Sequence, residues 1–221
     1  MFLDKILQRK ELARGLWHSI SITSAAMFFY FADNTALALL LNFALIFIAF
    51  DFGRSRNVQW VKKVIKVLTG DFFFAVLREK EKTHLSTSSH FIIAGIVIII
   101  MHLFFGLPKA VMICSALFVA IGDPMARLIG KEWKGTGLNG FVRPELLKKR
   151  LYGKKTLIGS FAFLVFGYSS ALLFCHIGNF SLGANNLLLG AFVATVVELY
   201  ATDWDNFFVP LSAVLIMWIF V

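Results

Sequence analysis

The chain has 221 residues, of which 58% are hydrophobic and 15% aromatic, with a mean hydropathy of +0.76 and a net charge of +9. A soluble domain is about 45–50% apolar, which excludes that class; a bilayer core about 30 Å thick takes about 20 apolar residues per helix, leaving room for about six to eight spans and no separate soluble domain. The basic residues alternate with apolar runs and form no continuous arm or stripe, so the charge points to membrane topology and not to nucleic acid.

The first residues mix Asp4 and Glu11 with Lys5, Arg9, Lys10 and Arg14, and no small-residue cleavage site clearly follows the first apolar run. A cleaved signal peptide is not expected. Apolar runs predict spans at 16–32 and 35–50. In the connection 51–88 that follows, Trp60, Val61, Val64, Ile65, Val67 and Leu68 recur near helical spacing among Lys62, Lys63 and Lys66. That pattern predicts an amphipathic helix lying on the headgroups. Further spans are predicted at 89–107, 109–128, 157–177, 183–201 and 206–221, with the last four short enough to be tilted or broken. Gly122-Asp123-Pro124 predicts a helix break, because proline removes a backbone donor and glycine lets the chain turn. Cys114 and Cys175 lie in apolar runs without CxxC or metal-ligand spacing and read as buried thiols. The expected fold is an all-α polytopic membrane protein: one membrane domain over 1–221, about seven spans and an interfacial helix.

Charge then predicts orientation. If the N-terminus is cytoplasmic, 21 of the 22 Lys and Arg residues fall on that side, and Lys109 alone lies opposite. The polar island 122–160, the expected catalytic loop, lies on the same cytoplasmic face.

A carboxylate in hydrocarbon costs a few kcal/mol even on lenient insertion scales, so acidic residues at span ends need a reason to be there. Asp123 and Glu198 end apolar runs, and Asp203 and Asp205 follow nearby. Beside nine cations from Arg127 to Lys155, these carboxylates suit Mg²⁺ and a nucleotide, since Mg²⁺ keeps waters and takes one or two protein carboxylates. The bland alternative is that Asp123 and Glu198 pair with Arg127 or with lysines and hold helices together. Gly153-Lys154-Lys155-Thr156 is not a P-loop: Lys148 replaces the first glycine, and Lys155 stands where Ser or Thr should follow the lysine. A helix starting near Thr156 would still aim free N–H groups at an anion; alternatively Lys148 to Lys155 merely follow the positive-inside rule. The five histidines show no HxxxH or HExxH spacing, which argues against zinc. Glu11, Arg14 and His18 share a helical face, either a solvated stripe or one touching headgroups or substrate.

In order along the chain stand Glu11-Leu-Ala-Arg14-x3-His18, Asp51-x2-Arg54, Arg78-x2-Glu81-x3-Leu85-Ser86, Gly122-Asp123-x2-Ala126-x3-Gly130-Lys131, Lys155-Thr156-x2-Gly159-Ser160, Glu198, and Asp205-Asn206-x3-Pro210. This series resembles the polyprenol kinase family, which includes dolichol kinase, phytol kinase and the CTP-dependent diacylglycerol kinase. The resemblance implies transfer of a phosphoryl group, usually from CTP, to the hydroxyl of a membrane lipid alcohol, with Mg²⁺. For such a transfer the expected catalytic residues are Asp123, Lys155, Glu198 and Asp205: Asp123 is a metal ligand or the group that orients the alcohol, and Asp205, a candidate metal ligand, completes the metal or base set with Glu198. Gly122, Gly130, Lys131, Lys154, Lys155, Thr156, Gly159 and Ser160 would hold the nucleotide. Arg14, His18, Arg78, Glu81 and Asn206 would form a supporting or substrate-facing rim. Two departures stand out: Ile158 replaces an acidic residue usual in the family, and the loop 132–151 is longer and more basic. The rival readings are a CTP-dependent cytidylyltransferase acting on a lipid phosphate, an ion-coupled transporter or flippase with Asp123 and Glu198 as ion sites, and a purely structural membrane adaptor.

Overall fold

The computed structural model describes residues 10–70, 73–74, 77, 80–132, 150–152, 155–201 and 204–221. Among the described residues the structure is helical apart from one short ribbon and the connecting turns. Helices α1 (Lys10–Phe31) and α2 (Asn34–Ser55) follow one another across a two-residue turn, and Asp33 caps α2 by accepting from the Ala36 amide at 2.7 Å. The amphipathic helix α3 (Gln59–Thr69) follows, where the sequence pattern placed one. Its Val61 packs on Gly53, while Trp60, Val67 and Leu68 stay exposed. A 3₁₀ turn at Lys80–Lys82 leads into α4 (Thr87–Phe105), capped by Ser86. Gly106, at φ +73°, ends α4 in the left-handed conformation that glycine tolerates.

The next helix is the centre of the molecule. Segment α5 (Lys109–Leu117) passes through a π-helical stretch, Phe118–Gly122, into α6 (Asp123–Glu132). The expected break at Asp123 is therefore a continuous helix with a widened turn. Pro124 accounts for it: its missing N–H and its ring, which would strike the carbonyl four residues back, are accommodated by the π stretch immediately before it. A two-stranded antiparallel ribbon, β1 (Arg150–Tyr152) with β2 (Lys155–Thr156), precedes α7 (Leu157–Ile177), and α8 (Ala184–Tyr200) and α9 (Asp205–Ile219) complete the chain.

Around the central helix, α7 packs along α6 and the π stretch, α1 against α5, and α9 against α5; α8 joins α7 to α9, and α4 joins α9 to the outlying α2. Among the described residues, four helices are long and apolar enough to cross a membrane: Asn34–Ser55, Thr87–Phe105, Lys109–Gly130 and Leu157–Ile177. Ser19–Phe31, Ala184–Tyr200 and Asp205–Ile219 are apolar but shorter. Small residues set the closest approaches. A Cβ on Gly130 would lie 2.9 Å from Thr156 Oγ1, and one on Gly159 would lie 3.0 Å from the Ala126 carbonyl, so α6 and α7 touch backbone to backbone there. Cys114 and Cys175 are free and buried, as their apolar surroundings suggest, and their sulfurs meet across α5 and α7 at 3.5 Å.

One buried ion pair fixes the connection into α4. Arg54, 1% exposed, donates to Asp51 Oδ1 at 2.7 Å, to the Glu81 carbonyl at 2.6 Å and to the His84 carbonyl at 2.8 Å. The other Asp51 oxygen accepts from the Ser86 amide at 2.7 Å and from Ser89 Oγ at 2.6 Å. Breaking one side of such a pair strands a buried charge at a cost of about 3–5 kcal/mol. Arg54→Met should therefore lower the thermal unfolding midpoint of the detergent-solubilised protein by several degrees, whereas Lys63→Ala, at an exposed position of α3, should not. Equal midpoints for the two variants would show that the pair does not anchor this connection.

Candidate active site

Four segments bring charge to one end of the bundle. Asp123, 3% exposed, is the first residue after the π stretch. One turn later on the same helix, Arg127 donates from Nε to Oδ1 at 3.0 Å and approaches Oδ2 through its terminal nitrogen at 2.7 Å. The ribbon sets Lys155 two residues before α7, where its ammonium bonds Glu198 Oε1 and stands 3.8 Å from Asp205 Oδ2. Glu198, also 3% exposed, comes from the last turn of α8, and Asp205 opens α9. Asp123 lies within electrostatic range of both Glu198 and Asp205, and Asp205 also feels Arg127. Three carboxylates and two cations thus form one partly buried network. In a poorly polarisable surrounding, three like charges cannot approach unless cations come with them.

Buried polar atoms of this region without a hydrogen-bond partner among the described residues include Glu198 Oε2, Ser160 Oγ and His90 Nδ1. Ser160 lies in the first turn of α7, whose start is capped by Thr156 Oγ1 accepting from the Gly159 amide at 3.2 Å. A 21-residue helix therefore points its N-terminal end toward the cation-bearing side of the cluster, a favourable setting for an anion. Asn206, buried beside Asp205, reaches from Nδ2 to the Thr87 carbonyl at 3.4 Å. Ile158, which stands where the resembled family has an acid, is buried on α7.

The expected site residues separate into groups. Asp123, Lys155, Glu198 and Asp205 come together; Thr156 and Ser160 lie at the head of α7, and Asn206 flanks Asp205. Gly130 and Gly159 serve the contact between α6 and α7, and Gly122 packs on Phe163, whose ring a Cβ there would approach to 3.1 Å. These three glycines have a packing explanation in the fold itself. Glu81 accepts from the Thr87 amide at 3.0 Å and from the Thr87 hydroxyl, which ties it to the start of α4. Through Thr87 it is linked to Asn206. Arg14 and His18 belong to α1 and Lys131 to α6, with side chains outside the described ones; Arg78, Lys154 and Asp203 lie outside the described residues. Two contributors were missed. Arg127 was legible only as the partner of the structural alternative, although its i+4 spacing from Asp123 is the ordinary helical ion-pair signal. His90 stacks on Trp204 at 4.2 Å beside Asp205, and nothing in the sequence linked them.

The donor chemistry suits Mg²⁺ in part. Among the described residues no three His, Cys, Asp or Glu side chains form a metal cage. A hard cation that keeps its waters needs only one or two carboxylates, and the buried Glu198 Oε2 adds an oxygen still able to accept. The ion pairs present are also those of the structural alternative, Asp123 with Arg127 and Glu198 with lysine.

No family model matches the chain, and no solved structure matches it. It is 31% identical over 213 residues to the uncharacterized protein RP860 of Rickettsia prowazekii (strain Madrid E), an alignment that covers 91% of this chain and 90% of that protein. The chain belongs to the same family as that Rickettsia protein.

Proposed function

We propose that this protein is a multi-pass membrane enzyme that transfers the γ-phosphoryl group of CTP to the hydroxyl of a membrane lipid alcohol. In this reading the chain crosses the bilayer about seven times, the N-terminus and the charged cluster face the cytoplasm, and α3 lies on the headgroups. The observation that supports it most is the meeting of Asp123, Glu198 and Asp205 with Lys155 and Arg127 at the head of α7. A merely structural contact between helices has no need of three carboxylates in one network, and hydrophobic packing would hold those helices without the cost of desolvating charge.

Phosphoryl transfer asks for positioning and charge neutralisation more than for covalent chemistry. Lys155, released from Glu198 as the nucleotide enters, holds phosphate oxygens together with Lys154 and the first N–H groups of α7. The Ser160 hydroxyl donates to the same phosphates. Asp123 and Asp205 would hold Mg²⁺, which supplies charge neutralisation on the β- and γ-phosphates. Glu198 Oε2, buried and without a donor, accepts the hydrogen of the lipid alcohol and orients its oxygen in line. The bond from the lipid oxygen to the γ-phosphorus forms as the bond to the CDP oxygen breaks, and the proton passes to Glu198 and then to water.

The deciding assay presents purified protein with CTP labelled at the γ- or the α-phosphate, and with ATP, against diacylglycerol, a long polyprenol and phytol. Label from the γ-position should reach the lipid. Lipid labelled only from the α-position would make the protein a cytidylyltransferase instead. Asp123→Asn should reduce transfer by about 100-fold or more while membrane insertion is unchanged; a near-normal rate would remove Asp123 from the centre. Lys155→Ala should raise the half-saturating CTP concentration about tenfold, with Lys155→Arg intermediate. An unaltered CTP dependence would assign the basic loop to topology alone.

A further inference from the structure

Asn42 is the ninth of the 22 residues of α2, at the middle of the apolar run 35–50. At 1.5 Å per residue it lies about 12 Å from the start of the helix, well inside a hydrocarbon layer about 30 Å thick. Its side chain is exposed. The amide nitrogen donates to the carbonyl of Ala38 one turn back at 3.0 Å, and the amide oxygen has no partner among the described residues. Lipid tails offer that oxygen no donor.

Its helix is also the least covered. Only 11% of the apolar window of α2 is buried, against 22% to 67% for the other three long helices. Leu37, Asp51 and Arg54 are its buried residues. Every residue that neighbours Asn42 on the helix surface, three, four or seven positions away, is exposed: Thr35, Ala38, Leu39, Leu45, Ile46 and Ala49. Three of these are small enough to let a second helix approach closely.

We propose that α2 is a self-association surface through which two copies of this chain pair in one bilayer, with Asn42 bonded to the partner's Asn42. A neutral carboxamide is both donor and acceptor, so a two-fold axis along the membrane normal makes it complementary to itself: each Nδ2–H donates to the other Oδ1. The same axis gives both copies the same orientation, as insertion requires, and packs Ala38 and Ala49 at the contact. A polar side chain at the middle of a helix seam fixes register and partner number in this way. The pairing rests on α2 crossing the bilayer and is independent of the activity proposed above.

The full chain, carrying donor or acceptor fluorophores, is reconstituted in phosphatidylcholine vesicles over a range of protein-to-lipid ratios. Energy transfer should report reversible association of the native chain and of Asn42→Gln, and Asn42→Leu should raise the dissociation constant about tenfold. In a Cys114→Ala, Cys175→Ala background that keeps Asn42, single substitutions Ala38→Cys, Leu45→Cys and Ala49→Cys should cross-link to dimers under copper-phenanthroline, whereas the exposed but off-face Phe43→Cys and Phe47→Cys should not. This scan decides the matter even if Asn42→Leu fails to insert. A native chain that stays monomeric throughout, with Asn42 then meeting lipid, overturns the proposal. So does undiminished association of a folded Asn42→Leu, or cross-linking at Phe43→Cys as complete as at Ala38→Cys.

Discussion

The organisation of this protein depends on keeping buried charge compensated. Asp123 and Glu198 are each almost wholly withdrawn from solvent, and an isolated carboxylate there costs several kcal/mol. Arg127 and Lys155 offset that cost by direct contact, and Lys155 stands close enough to Asp205 to serve a second carboxylate. Because Lys155 comes from the ribbon, Glu198 from α8 and Asp205 from α9, one ammonium holds together elements that a sequence gap of more than 40 residues separates. Glu198 Oε1 is compensated in this way, while its Oε2 stays buried without a hydrogen-bond partner among the described residues.

Backbone geometry places these groups. Pro124 would clash in a regular helix, and the π stretch before it resolves the clash while changing the direction in which Asp123 and Arg127 project. A short distance on, Gly130 and Gly159 bring α6 and α7 into backbone contact, which sets the head of α7 beside Asp123. Glycine here serves proximity, and a side chain at either position would push the N-terminus of α7 away from the charges it faces.

A second polar network supports the first from the side. Arg54 and Asp51 hold the connection 81–86, Glu81 fastens onto Thr87, and Asn206 reaches the Thr87 carbonyl next to Asp205. Motif residues that do not touch the carboxylate cluster are therefore linked to it through the start of α4. The hydrogen bonds of Asp51, Arg54 and Glu81 give these residues a structural role in holding the start of α4.

The sequence by itself determined the helical character, the apolar runs that make several helices long enough to cross a membrane, the amphipathic helix at 59–69 and the helix start near Thr156. These follow from composition, short-range periodicity and capping, which act over a few residues and need no knowledge of the rest of the chain. Recurring acidic and basic residues also marked Asp123, Lys155, Glu198 and Asp205 as candidates. The tertiary structure alone decided which cation meets which carboxylate, that Pro124 widens the helix instead of breaking it, that Gly130 and Gly159 face each other, that Cys114 and Cys175 touch, and that α2 is left largely uncovered. Each is a contact between segments far apart in the chain, or a response of backbone to such a contact, and the energy that selects it exists only once the helices have packed.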